Sequence, residues 1–377
     1  MKNKNVYLSL CSLSFLALLF FNSCKKEETT QSQSASDISN AKAKIIVHAG
    51  ESIQAAVDAA KAGALIQIEP GTYSESITVN KAGIKLVGLT VNGAGVVIQN
   101  PGDEEDGIVV NDAGDGFTLQ NVTVKNFEEN GVVLDSVDNF KISYVTAIDN
   151  GEYGIFPVHS SHGLIDHCIV SGHSDTGIYV GQSDDVRMQF NTAYGNVNGL
   201  EIENSSNVTA AYNNSYDNVA GILIDVLPGK DIKTCSNISV KFNRLYNNNH
   251  LNFGDTAGLE SSIPTGIGIL VLGADQTLIA NNVVTNNDFT GIVVFSTLVL
   301  SVIAGVPPEV ILADIEPNPD GNVITRNILR NNGSNPPVIP GLPLPGVDLL
   351  WDGSGTDNCW SSNVYTTSAP SPLPSCN

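Results

Sequence analysis

The sequence predicts an all-β solenoid, a chain coiled so that each short strand pairs with its equivalent one turn later. Three observations predict it. Glycine recurs before short apolar runs at Gly107, Gly131, Gly154, Gly177, Gly199 and Gly221, at spacings of 24, 23, 23, 22 and 22 residues. Gly266 and Gly291 continue the series at 45 and 25, the longer interval holding one turn swollen by inserted loops. A fixed period of this size, with runs such as GIVV, GVVL, GIYV and GILI and no long helix between them, is a repeat signature. Asparagine forms a second column, spaced Asn-x-x-x-x-Asn at 121/126, 191/196, 213/218, 243/248, 282/287 and 327/332. Stacked amides at tight turns hydrogen-bond along a solenoid and tolerate left-handed backbone. Finally, a coil exposes strand edges at both ends, and the sequence offers a cover for each.

The elements follow in chain order. Residues 1–23 read as an export signal, with Lys2 and Lys4 ahead of an apolar run that stops at Asn22-Ser23-Cys24. A small residue followed by cysteine there resembles a bacterial lipobox, which implies Cys24 as the lipidated N-terminus of a protein anchored to the outer membrane or cell surface. Residues 24–44, opening on Lys25-Lys26-Glu27-Glu28 and then rich in Thr, Gln and Ser, read as a flexible tether. The folded domain spans 45–377. Its first cover is GESIQAAVDAAKAG, where Ile53, Ala56, Val57 and Ala60 fall on one helical face and Gly63 stops the helix. Strands this short cannot form hairpins at this period without leaving a member unpaired, so the chain coils. Ten to twelve turns stacked at about 4.8 Å make a rod of roughly 50 Å. The C-terminal cover is VDLLWDGSGTDNCWSSNVY, which holds Trp351 and Trp360.

Composition narrows the partners. A net charge of −21 excludes nucleic acid and anionic lipid surfaces as primary partners, leaving the membrane to the lipid anchor alone. Of the six cysteines, Cys359 and Cys376 flank a short Ser/Pro-rich segment in an exported tail and are expected to pair. Cys168 sits in a strand pattern as a small buried residue.

The helix ESIQAAVDAAKAG followed by IQIEPGTYSESITVNKAGIKLVG resembles the opening of right-handed parallel β-helix proteins of the pectate-lyase-like superfamily. The run from GEYGIFPVHSS through DTGIYVGQSDDV, NGLEIENSSNV and GILIDVLPG is similar to a lipoprotein-type family of parallel β-helix repeat proteins. The resemblance covers about residues 45–377. It implies the right-handed coil with an N-terminal capping helix, and little about chemistry.

Chemistry is sought on the outward positions, two and four after each repeat glycine. There Phe156, Tyr179, Glu201, Glu203 and Asp225 fall on neighbouring turns, with His159 and Gln182 at the turns that follow; on the Gly266 turn, Gly268 and Leu270 take these places. The expected catalytic residues are His159, Tyr179 and Glu201, and the expected binding residues Phe156, Gln182, Glu203, Asp225 and Lys230. Glu201, Glu203 and Asp225 are candidate calcium ligands, since clustered carboxylates suit a hard cation, and His or Tyr could move a proton. This predicts an acidic, partly aromatic open face that recognises extracellular polysaccharide, with lyase or hydrolase activity. The alternative is an adaptor that binds another exported protein through this face and the apolar insertion 296–320.

YGIFPVH is similar to the Tyr-Gly-[Phe/Ile]-Asp-Pro-His-Asp motif of mannuronan C5-epimerases. Tyr153, Gly154, Ile155 and Pro157 match, but Phe156 replaces the acid and Val158 the histidine, with His159 one place late. A one-residue slip reverses the side on which a side chain emerges. The Gln-Asp-Asp-Arg set of pectin methylesterases and the Gly-His-Gly and Arg-Ile-Lys stretches of polygalacturonases are absent from the sequence. His159, His162, His167 and His173 crowd one stretch, but neighbouring positions within a turn fan outward rather than converge on a metal. Insertions 227–234 and 250–264 emerge beside Asp225, where binding loops are usually built.

Overall fold

The computed structural model describes residues 44–376. The export signal, Cys24 and most of the tether lie outside them. The described chain winds into three parallel sheets of 12, 11 and 10 strands, each strand hydrogen-bonded to its equivalents one turn before and after. Registers hold without a slip: Val132, Ile155, Ile178, Leu200, Ile222, Ile269, Ile292 and Leu349 stack in one inward column. Each of these is essentially inaccessible to solvent, so the β-branched and leucine side chains that favour strands also fill the coil.

The repeat glycines are required by close approach. A Cβ on Gly154 would lie 2.5 Å from the Gly177 carbonyl oxygen, and one on Gly268 would lie 2.4 Å from that of Gly291. This corrects the expected repeat position. Gly268, not Gly266, pairs in line with Gly221 and Gly291, because Ala220 opposes Ile267 and Ile222 opposes Ile269. Gly266 instead has φ +99° and turns the chain into the strand. The outward residues of that turn are therefore Leu270 and Leu272.

The asparagine column is a ladder inside the turns. Asn191, Asn213, Asn243, Asn282 and Asn327 each donate from Nδ2 to the next Oδ1 at 2.9–3.1 Å, the last to Asn363. Each accepting oxygen also takes the backbone N–H of the preceding member. Asn121 and Asn126 are not rungs of it. They occupy the place just before, where the backbone is left-handed, φ +59° and +64°. In that first place Tyr144, His167, Phe190, Tyr212 and Phe242 stack as a half-exposed column with ring centroids 4.8–5.1 Å apart. A ladder amide serves two neighbours, so Asn243→Ala leaves two donors of Asn213 without an acceptor. The expected loss of stability is about 2–4 kcal/mol, read by urea denaturation; a loss below about 0.5 kcal/mol would contradict the ladder's role.

The ends are closed as follows. Helix α1 (Ile53–Ala59) is capped by Ser52, and Glu75 accepts the free N–H groups of Ile53 and Gln54 at 2.7 and 3.1 Å. It buries Ile53 and Val57 against the first turn. At the other end Cys359 is bonded to Cys376, and Trp360 packs beside Trp351 with ring centroids 5.3 Å apart. Cys168 and Cys235 are buried free thiols.

Candidate active site

The 11-stranded sheet does not present the open face expected from the sequence. On its strands Asn198–Glu203, Ala220–Asp225, Ile267–Leu272 and Thr290–Phe295 every residue is buried, outward ones included. Insertions cover them. Segment 296–320 folds into α2 (Leu300–Ile303) and α3 (Pro308–Asp314), which turn Leu300 and Ile311 inward. Loop 227–234 is fastened to this cover, with Lys233 Nζ 2.8 Å from Asp314 and the Gly229 N–H donating to the same carboxylate at 2.6 Å. Ile339, Leu342 and Leu344, from a second cover whose role the sequence reading missed, close the same side.

Between sheet and cover lies a cavity of about 230 Å³. Its floor joins Glu201, Glu203 and Asp225, one carboxylate oxygen of each lying within 4.8 Å of the others. Lys230 reaches in to hold Glu203 at 2.8 Å, and the Tyr179 hydroxyl donates to the same oxygen at 2.7 Å. Glu201 accepts from Asn198 Nδ2 at 3.3 Å and is hydrogen-bonded to the Thr176 hydroxyl. Asp175, also in the lining, accepts from the Tyr153 hydroxyl at 2.5 Å. Two buried acceptors of this wall, Asp225 Oδ1 and Asn198 Oδ1, have no hydrogen-bond partner.

Burial sets the protonation of this wall. Desolvation, then the nearby charges of Asp175, Asp225 and Glu203, pushes Glu201 well above the usual carboxylate range. Desolvation and then Glu203 do the same to Asp225. Asp175 is pushed up to about 7, chiefly by burial. Burial opposes charge on Lys230, but the Glu203 carboxylate outweighs it and raises the ammonium above its ordinary value.

Of the expected residues, Glu201, Glu203, Asp225 and Lys230 line the cavity together. Tyr179 stands behind Glu203 rather than in the lining. Phe156 stacks on Tyr179 at 4.7 Å and takes no part in the lining. Gln182 accepts the Asp231 N–H at 2.7 Å, so it fixes the loop that carries Lys230. His159 is corrected outright as a catalytic residue: its backbone is left-handed, φ +50°, and its ring turns to Asp135 and Asp231, 3.6 and 3.9 Å away at the surface. The other clustered histidines also diverge, His162 to Asp138 and His167 to Asp166, while His173 is buried against Asn196. Tyr153, Asp175 and Asn198 were missed because outward positions were counted only after each glycine. Tyr153 and Asn198 come just before one, in a polar column that could have been read.

Residues 106–228 match the family model described as right handed beta helix region. The chain has the right-handed parallel β-helix fold. Solved structures agree in fold across most of it. The mannuronan C-5 epimerase AlgE4 A-module of Azotobacter vinelandii is 15% identical, with TM-score 0.59, over 84% of this chain and 93% of that one. The Dettilon tailspike protein is 12% identical, with TM-score 0.55, over 85% and 58%. DFA-IIIase from Arthrobacter chlorophenolicus is 12% identical, with TM-score 0.52, over 80% and 77%. No curated protein matches the chain in sequence.

Proposed function

We propose that this β-helix is a glycoside hydrolase that takes an uncharged sugar into the covered cavity. The observation that carries the reading is a buried carboxyl, Glu201, pushed well above the usual carboxylate range, beside Glu203, which accepts from Lys230 and Tyr179. A buried acid with a raised pKa next to a second carboxyl group held by a lysine and a tyrosine hydroxyl is the pattern that assigns an acid and its partner. The unpartnered oxygens of Asp225 and Asn198 favour a ligand rich in hydroxyl donors. Uronate polymers fit poorly, since the lining holds five acids and a single base, Lys230.

In the first step Glu201 gives its proton to the glycosidic oxygen as the C1–O bond breaks, and Glu203 forms a bond to C1. Water then attacks C1, passing a proton to the now ionised Glu201 and releasing Glu203. Oxygens within 4.8 Å suit this retaining route better than the roughly 6.5–9.5 Å between inverting carboxyl groups. The test is reducing-sugar release from a panel of neutral oligosaccharides, with the product anomer read by NMR. No release from any neutral glycan, with cleavage of alginate or pectate instead, would overturn the reading.

Calcium remains a proposal at Glu201, Glu203 and Asp225, whose oxygens suit a hard cation. It must displace protons from Glu201 and Asp225 and compete with Lys230. Calcium is therefore expected to raise the melting temperature at pH 8 and not at pH 5. An equal shift at both values would contradict that competition. We further propose lipid anchoring at Cys24, for which Cys24→Ala should abolish palmitate labelling; unchanged labelling would refute it.

A further inference from the structure

The cavity changes character along the solenoid axis. Two places after each glycine the outward residues run Tyr179, Glu201, Leu223, Leu270, Val293; four places after, Glu203, Asp225, Leu272, Phe295. Polar groups thus end at one boundary, between strands Ala220–Asp225 and Ile267–Leu272. Beyond it the floor is hydrocarbon, and so is the cover, formed by Leu300 and Ile303 of α2 with Leu342 and Leu344. Two turns of apolar floor give a slot about 10 Å long. Apolar cavities stay dry and take apolar molecules, and one of about 150 Å³ already accepts benzene; the whole cavity here measures about 230 Å³.

We propose that the substrate is a glycoside with an uncharged aliphatic aglycone, the sugar over Glu201 and Glu203 and the chain lying along the axis over Leu270 and Val293. The proposal rests on the hydrolase reading for its sugar end. The carboxyl floor turns away a fatty carboxylate, and the cover prevents an extended polysaccharide from lying across the sheet. The bond to be broken falls at the polar boundary, where Glu201 can protonate the oxygen that leaves with the chain.

The experiment is calorimetric titration of the full chain with methyl and octyl glycosides of glucose, galactose and mannose, below micelle-forming concentrations. The octyl member of at least one pair should bind about 30-fold more tightly than its methyl counterpart, since burying even a few methylenes shifts binding this far. Ile303→Gln and, independently, Val293→Thr should each narrow that ratio. Equal binding of octyl and methyl members, no binding by any of them, or octylammonium binding as tightly as the octyl glycosides would overturn the proposal. Octyl preference without sugar release would leave it standing and remove the hydrolase reading instead.

Discussion

Glu201→Gln is expected to lower cleavage of an unactivated neutral glycoside by two to four orders of magnitude while leaving binding nearly intact. A positioned acid contributes about 10²–10⁴-fold, and glutamine keeps the shape and the contact with Thr176 but has no proton to give. The loss is expected to depend on the leaving group. A nitrophenyl glycoside needs no protonation as it departs, so its cleavage should recover most of the deficit in Glu201→Gln. Glu203→Gln removes the group proposed to bond to C1, and the same substrate should not rescue it. A merely structural role predicts equal losses on both substrates. Equal rates for parent and Glu201→Gln on the unactivated glycoside would end the assignment.

Raising the pH from 6.5 to 8 destabilises the folded chain. Glu201 and Asp225 have folded-state affinities for protons raised far above those of the unfolded chain, and Asp175 titrates near 7. Their contribution is complete below the unfolded carboxylate range near pH 4. It is lost as pH rises toward the folded values, because only the unfolded chain releases its protons. His173 acts the other way, its pKa held down to about 4 by burial; only its unfolded form titrates here, near 6.5, so its opposing contribution stays at about 0.4 kcal/mol. Each proton retained on folding changes stability by about 2 kcal/mol over this interval. Urea denaturation at the two values should show the fall, and Glu201→Gln should reduce it by about that amount. A flat profile would mean that the wall is solvated.

The scaffold was legible because its causes are periodic. A glycine that must let two backbones meet, an amide that must serve two neighbours and an inward aliphatic column each leave a mark every turn. Errors of register arose where a mark was imitated, as Gly266 imitates Gly268 and Asn121 imitates a ladder position. Glu201, Glu203 and Asp225 were found by the same counting, and Lys230 by the insertion that emerges beside Asp225. Their burial was not, because it is decided by insertions without period. Nothing in LPGKDIKT or LVLSVIAGVPPEVILADIE reveals which surface it covers until Lys233 is seen on Asp314 and Leu300 over the sheet. His159 failed for a related reason. Oddity within a repeat marked it, yet a turn residue in left-handed backbone points away from the strand surface it follows.

The unbroken stacking register makes length an independent variable. Three strands of the 11-stranded sheet, at Ile77–Val79, Asp106–Val110 and Asn130–Asp135, precede the first one that contributes to the cavity. They touch no part of it. Excising one whole turn, such as the 23 residues 131–153, would rejoin matching columns and lower the cavity by about 4.8 Å. Those turns are a pedestal whose height is counted in whole steps. A turn can be added to it or taken from it without disturbing the residues that line the cavity above.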